Sequence, residues 1–197
     1  RRQRQMCIRD SATTVMGGAL TLIDQGSLVG TSGITVRNAA LVWDDSGIQA
    51  LGNRLGSGTL LSLDGGAFTF NSRSGTDTAI TIGSIALAGG ASMIRQNVGN
   101  SGFGSSSITM GGIASRATGA TVNFFASAGS PGDNPNFKLN NAPELVSGGG
   151  IIGGWATAYG YDSYSNVNGN YGFATYDAVS GVRMLTTPML VTSFAGL

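Results

Sequence analysis

The sequence predicts an all-β chain wound into a solenoid. Three observations carry that prediction: strands marked by period-two alternation, their return at near-constant intervals, and a composition that wraps apolar residues in small polar ones. Of 197 residues, 33 are Gly, four are Pro, 11% are charged and 41% are hydrophobic. A typical globular chain carries about 25% charged residues and about 7% Gly. Low charge with ample apolar content excludes disorder, because disordered chains gather charge and avoid apolar residues. The chain is long enough to bury a core, which leaves the surface mainly to Ser, Thr, Asn and Gly.

The first clear unit is Ile34-Thr35-Val36-Arg37-Asn38-Ala39-Ala40-Leu41-Val42-Trp43-Asp44-Asp45. A shift of 27 lays it on Leu61-Ser62-Leu63-Asp64-Gly65-Gly66-Ala67-Phe68-Thr69-Phe70-Asn71-Ser72. A further 24 reaches Ile85-Ala86-Leu87-Ala88-Gly89-Gly90-Ala91-Ser92-Met93-Ile94, and another 23 reaches Ile108-Thr109-Met110-Gly111-Gly112. Alternation of this kind marks a strand with one buried face. Ile34 and Val36, then Leu61 and Leu63, should point inward. The Asn-Ala-Ala or Gly-Gly that follows tolerates a corner in left-handed backbone. Leu41 with Trp43, and Phe68 with Phe70, then turn a second apolar face inward. Recurrent Gly and β-branched residues disfavour helix.

Strands this short cannot bury their faces alone, whereas coils stacked along an axis can. A flat β-sandwich is the rival architecture, and it leaves the near-constant period unexplained. Residues 12–197 at about 25 residues per unit predict about seven coils, a rod roughly 35 Å long. Regular repeats are expected over 12–128. A less regular continuation with loop insertions is expected over 129–197, where Ser130-Pro131-Gly132-Asp133-Asn134-Pro135-Asn136 reads as a turn-rich loop.

Residues 1–11, RRQRQMCIRDS, differ from the rest. They hold four of the eleven basic residues and the single cysteine, Cys7. The string resembles the conceptual translation of a transposase-type sequencing adapter, which would make it a non-native segment. A basic nucleic-acid-binding arm or a signal-peptide n-region are the alternatives. The second needs an apolar stretch next, and Ala12 to Leu22 is too polar and Gly-broken. Without these residues the count is seven basic against nine acidic, and the net charge moves from +1 to −2. No nucleic-acid partner is then expected, and no disulfide or thiolate chemistry remains. Phe194-Ala195-Gly196-Leu197 makes no convincing terminus, so the solenoid is expected to be truncated at both ends.

Asn53-Arg54-Leu55 before a new strand, the Leu-x-Leu-x-Gly-Gly-x-Phe-x-Phe unit at 61–70 and the IIGGWA…FATYD…GVRML end segment resemble the autotransporter-associated β-strand repeat proteins. The resemblance covers nearly all of residues 12–197, through degenerate motifs. It implies a right-handed parallel β-helix in a passenger-type region of a protein exported to the cell surface of a Gram-negative-type bacterium. The role implied is a non-enzymatic stalk or adhesin-like segment, with host or matrix glycans or surface proteins as partners. Membrane attachment would come only through a C-terminal barrel or anchor, and no barrel follows in this chain.

Catalytic constellations are hard to assemble here. The chain has no His, so Ser-His-Asp, Cys-His and His–metal arrangements are excluded. Gly102-Phe103-Gly104 runs into serines without completing a dinucleotide fingerprint. Asp44 and Asp45 are adjacent and read as solvated turn residues that do not flank one bond. Asp24, Asp64, Asp77 and Asp177 read as single Asx-turn residues. Asp133 and Asn134 are a weak calcium option beside the expectation of no metal and no cofactor. The alternative to a stalk is a carbohydrate-active β-helix, a lyase or hydrolase. It would need arginines such as Arg37, Arg54, Arg73, Arg95 and Arg116 gathered in a groove with Asp64 or Asp77. The candidate contact residues are aromatic: Trp155, Tyr159, Tyr161, Tyr164 and Tyr171, with Tyr176 beside them. Set among Asn and Ser, they suit sugars or partner proteins; as packing, Trp155 and Tyr176 belong to the core or a corner.

Overall fold

The computed structural model describes residues 11–98, 104–127, 134–146, 150–162 and 167–185, with the side chains of 161, 162 and 167–170 left out. Among these residues there is no helix. The strands are β1 (Thr13–Met16), β2 (Ala19–Ile23), β3 (Gly33–Arg37), β4 (Ala40–Asp44), β5 (Leu60–Asp64), β6 (Ala67–Asn71), β7 (Thr78–Ile82) and β8 (Ile85–Gly89). They continue as β9 (Ala91–Asn97), β10 (Ser106–Met110), β11 (Ile113–Arg116), β12 (Thr121–Ala126), β13 (Asn136–Leu139), β14 (Ala156–Asp162), β15 (Val167–Asp177) and β16 (Gly181–Met184).

These strands form a β-solenoid with three sheets. The first runs β1-β3-β5-β8-β11, and every pair in it is parallel. The second runs β2-β4-β6-β9-β12-β14 in parallel, then adds β15 and β16 antiparallel. The third is β7-β10-β13, also parallel. In the earliest coils this third face is reduced to one bridge, Leu28 to Leu55. A single core gathers residues from all three sheets, including Val36, Leu63, Trp43, Phe70, Ile82, Met110, Phe124 and Phe137. Trp43 meets Phe70 edge-on at 6.2 Å, and Phe124 meets Phe137 at 5.7 Å.

The solenoid makes about four turns, so seven coils was an overcount. Two physical reasons account for it. Successive rungs of the first sheet lie 21, 27, 24 and 28 residues apart, and those of the second rise from 21 to 34. Moreover, β15 and β16 double back instead of adding a coil. The repeat alignment also changes at one point. Ile108 and Met110 pair with Ile80 and Ile82 on the third sheet, and Ile113 is the residue that follows Ile85. A three-residue aliphatic–polar–aliphatic string fits any of the three faces, so it cannot by itself choose among them.

The inward residues are the ones the alternation marks: Ile34, Val36, Leu41, Trp43, Leu61, Leu63, Phe68 and Phe70 are all buried. The corner between the first two sheets also matches its chemistry. Asn38 (φ 45°), Gly65 (φ 62°) and Gly90 (φ 60°) stack on successive coils in left-handed backbone. Each passes a hydrogen bond along the stack, Asn38 N to the Asp64 carbonyl at 3.1 Å and Gly65 N to the Gly89 carbonyl at 2.9 Å.

Candidate binding surface

Outward positions of the second sheet bring side chains from consecutive coils into rows, because parallel strands in register place equivalent residues about 4.8 Å apart. One row is Arg95, Phe125, Tyr159 and Tyr171, neighbours across β9, β12, β14 and β15. The Arg95 guanidinium lies 4.9 Å above the Phe125 ring. Phe125 stacks on Tyr159 with centroids 4.4 Å apart and planes within 11°, and Tyr159 tilts against Tyr171 at 4.5 Å. Stacked rings cover one another's faces. Aromatic surface therefore reaches solvent at the end of the row, at Tyr171 (70% exposed) with Phe173 (49% exposed) beside it. A cleft of about 450 Å³ opens there, lined by Thr157, Tyr171, Gly172, Phe173 and Leu185. An aromatic face beside a threonine can take a flat, partly apolar ring such as that of a sugar.

The five aromatic candidates are thus not one site. Tyr159 and Tyr171 come together. Trp155 lies elsewhere, at the Arg116 end of the first sheet, with the guanidinium 5.2 Å from its ring and its indole packed directly against Gly153. Tyr161 is on β14 with a side chain outside the described set, and Tyr164 lies outside the described residues. Tyr176 is a packing residue. Its hydroxyl donates to the Leu139 carbonyl at 2.8 Å and accepts from the Leu139 N–H at 3.4 Å, tying β15 to β13. Arg95, Phe125 and Phe173 were not among the candidates. They surface only when the coil length is allowed to grow to 30 and 34 residues, which aligns Phe125 with Arg95 and Tyr159.

The acids are spent on the fold. Asp45, read from sequence as solvated, is buried against the equally buried Arg54, with Nε and Nη2 each 3.0 Å from its Oδ1. Arg54 also donates to the carbonyls of Asp24 (2.7 Å), Gly26 (2.8 Å), Asp44 (3.2 Å) and Gln49 (2.9 Å), locking the β4–β5 connection onto the coil below. Asp24 accepts from the backbone of Ile48 and Gln49, and Asp64 pairs with Arg37 at 2.7 Å, in both cases across coils. Of the four aspartates read as Asx turns, Asp177 makes one, accepting from Val179 and Ser180.

A second row links Asp44, Asn71 and Asn97 through side-chain bonds of 3.1 and 2.8 Å. Partial burial pushes the Asp44 carboxyl up, but bonds from Ser46 and Asn71 and the charge of Arg54 outweigh it and leave the group below its ordinary range. The Ser105 N–H and hydroxyl hold Asp77 low. The Ser180 N–H holds Asp177 low against slight desolvation, helped by the charge of Arg183 and the Val179 N–H.

The arginines disperse as well. Arg73 donates to the Gly47 and Ile48 carbonyls and Arg95 to Asn97, while Arg116 reaches the Ala117 and Ala120 carbonyls. Against this geometry, no family model matches the chain, and neither does any curated protein or solved structure.

Proposed function

We propose that this chain is a non-enzymatic, stalk-like segment of an exported cell-surface protein, a right-handed β-helix of the autotransporter passenger type. The observation that carries it is where the carboxylates go. Asp24, Asp44, Asp45, Asp64, Asp77 and Asp177 are each bonded to backbone or side chains that join coils or close turns. A scaffold uses acids this way; a glycosidase or lyase holds two of them, or an acid and arginines, free around a cleft. The repeat resemblance adds export and display on a Gram-negative-type surface, and right-handedness follows the strong preference of parallel crossovers. Glycans or surface proteins would meet the Tyr171–Phe173 end of the aromatic row.

The test is display of the chain with its genomic flanks in a Gram-negative host, followed by protease treatment of intact cells. Loss of an epitope placed within residues 12–197 is expected. An epitope that survives on intact cells and disappears only after lysis would sink the export reading. Release of reducing ends or unsaturated uronates from polysaccharides by the purified chain would favour the enzyme instead.

A further inference from the structure

The coil that carries β13 and β14 has strands on the third and second sheets and none on the first. Among the described residues, β11 pairs with β8 on one side and with nothing on the other. The chain follows the coil below as far as Asn141, whose N–H bonds the Gly111 carbonyl at 3.2 Å. It then leaves the sheet at Ala142-Pro143. Proline has no N–H for the ladder and so cannot continue a paired strand. Leu145 (39% exposed) and Val146 (52% exposed) are carried out into solvent, and Ile152 returns to the core. A cleft of about 400 Å³ occupies the strand's place. Ile113 to Arg116 form one wall, and Asn141 to Glu144 with Ile152 and Trp155 form the other.

We propose that this vacant rung is a docking site for an extended segment of a partner protein, which adds to β11 as a further strand and sets a carboxylate against Arg116. Strand addition to an open edge takes its affinity from main-chain hydrogen bonds and its selectivity from alternate side chains. The same sheet shows the pairing that selects the partner. Arg37 ends β3, Asp64 ends β5 directly opposite it, and the two form an ion pair at 2.7 Å. Arg116 ends β11 in the same way. It is held beside Trp155 and by two backbone carbonyls through Nη1. The segment that fits is therefore aliphatic–polar–aliphatic followed by Asp, the pattern Leu61-Ser62-Leu63-Asp64 shows two rungs earlier. This inference concerns an edge and not the aromatic row, so it stands whether or not the protein is exported.

The probe is a fluorescein-labelled peptide of residues 59–65, Thr-Leu-Leu-Ser-Leu-Asp-Gly, titrated into the whole chain and followed by anisotropy. Saturable binding is expected, with slower amide exchange at Ile113 to Arg116. Replacing the peptide's Asp by Asn, or Arg116→Gln in the protein, should weaken binding about tenfold by removing a charge-assisted bond. Pro143→Val should also weaken it, because the chain's own segment regains the donor it needs to take the rung. Thermal unfolding of both variants confirms that they fold. Absence of saturable binding, binding indifferent to Arg116→Gln, or binding that leaves the β11 amides unprotected would each overturn the proposal. Self-association of the peptide-free chain that Pro143→Val abolishes would identify a second copy as the occupant and overturn the partner.

Discussion

Arg54 shows how much one side chain can hold together in a fold made of short strands. Its guanidinium reaches one carboxylate and four carbonyls, so no donor is left dry in a buried place. Arg54→Ala would strand Asp45 as an uncompensated buried charge, and a loss of about 3–5 kcal/mol is expected in chemical denaturation. Arg54→Lys should recover only part of it, because an ammonium cannot span acceptors arranged around a planar fork. The sequence hid this pair. Asp44 and Asp45 stand together in a polar stretch and look alike, yet strand alternation sends one to a surface row and the other beneath the loop. That loop's path depends on Arg54, nine residues further on, and no local pattern reveals it. Acid should act through the groups held low. Asp44, Asp77 and Asp177 lie below the ordinary 3.8 in the folded chain, so the unfolded chain takes up protons first as pH falls. Their contribution is complete above about pH 5 and is lost as pH drops through the folded values. The thermal midpoint should accordingly stay flat from about pH 7 to 5 and fall below about pH 4. A midpoint that rises in acid would contradict it.

Strands were the legible element, and corners nearly so. Two inward residues per strand suffice to show alternation, and Leu61-x-Leu63 or Phe68-x-Phe70 reads without ambiguity. Assigning a strand to a face is harder, as Ile108 and Met110 show, because face depends on how many residues the preceding corner consumes. The aromatic row failed for the same reason. Tyr159 and Tyr171 are close in sequence, whereas their partner Phe125 lies 34 residues before Tyr159. The corner stack offers a sharp check. A Cβ at Gly90 would lie 3.0 Å from the Gly65 Cα, in backbone that L-residues avoid. Gly90→Ala should cost about 1–2 kcal/mol from backbone handedness alone. Ala91→Gly, one residue along and outside the left-handed stack, should cost about 1 kcal/mol or less. Equal losses from the two in urea titration would mean that the corner is not the constraint.

For the molecule as a whole, stability should be greatest where coils are stacked on both sides. Hydrogen exchange is expected to be slowest at β5, β6, β8 and β9 and fastest at β1 and β2, each of which has one partner strand among the described residues. Uniform exchange along the axis would argue for a single cooperative block. The lengthening rungs carry a further consequence. The girth of the rod increases from its first coil to its last, since each loop of chain around the core is mostly longer than the one before. A cylinder of identical coils can be lengthened by copying any one of them. A tapered one cannot: a duplicated coil would meet a neighbour of the wrong circumference, leaving a void on one side or an overhang on the other. Growth by tandem duplication is closed to this part of the protein, and each coil fits only its own place in the series.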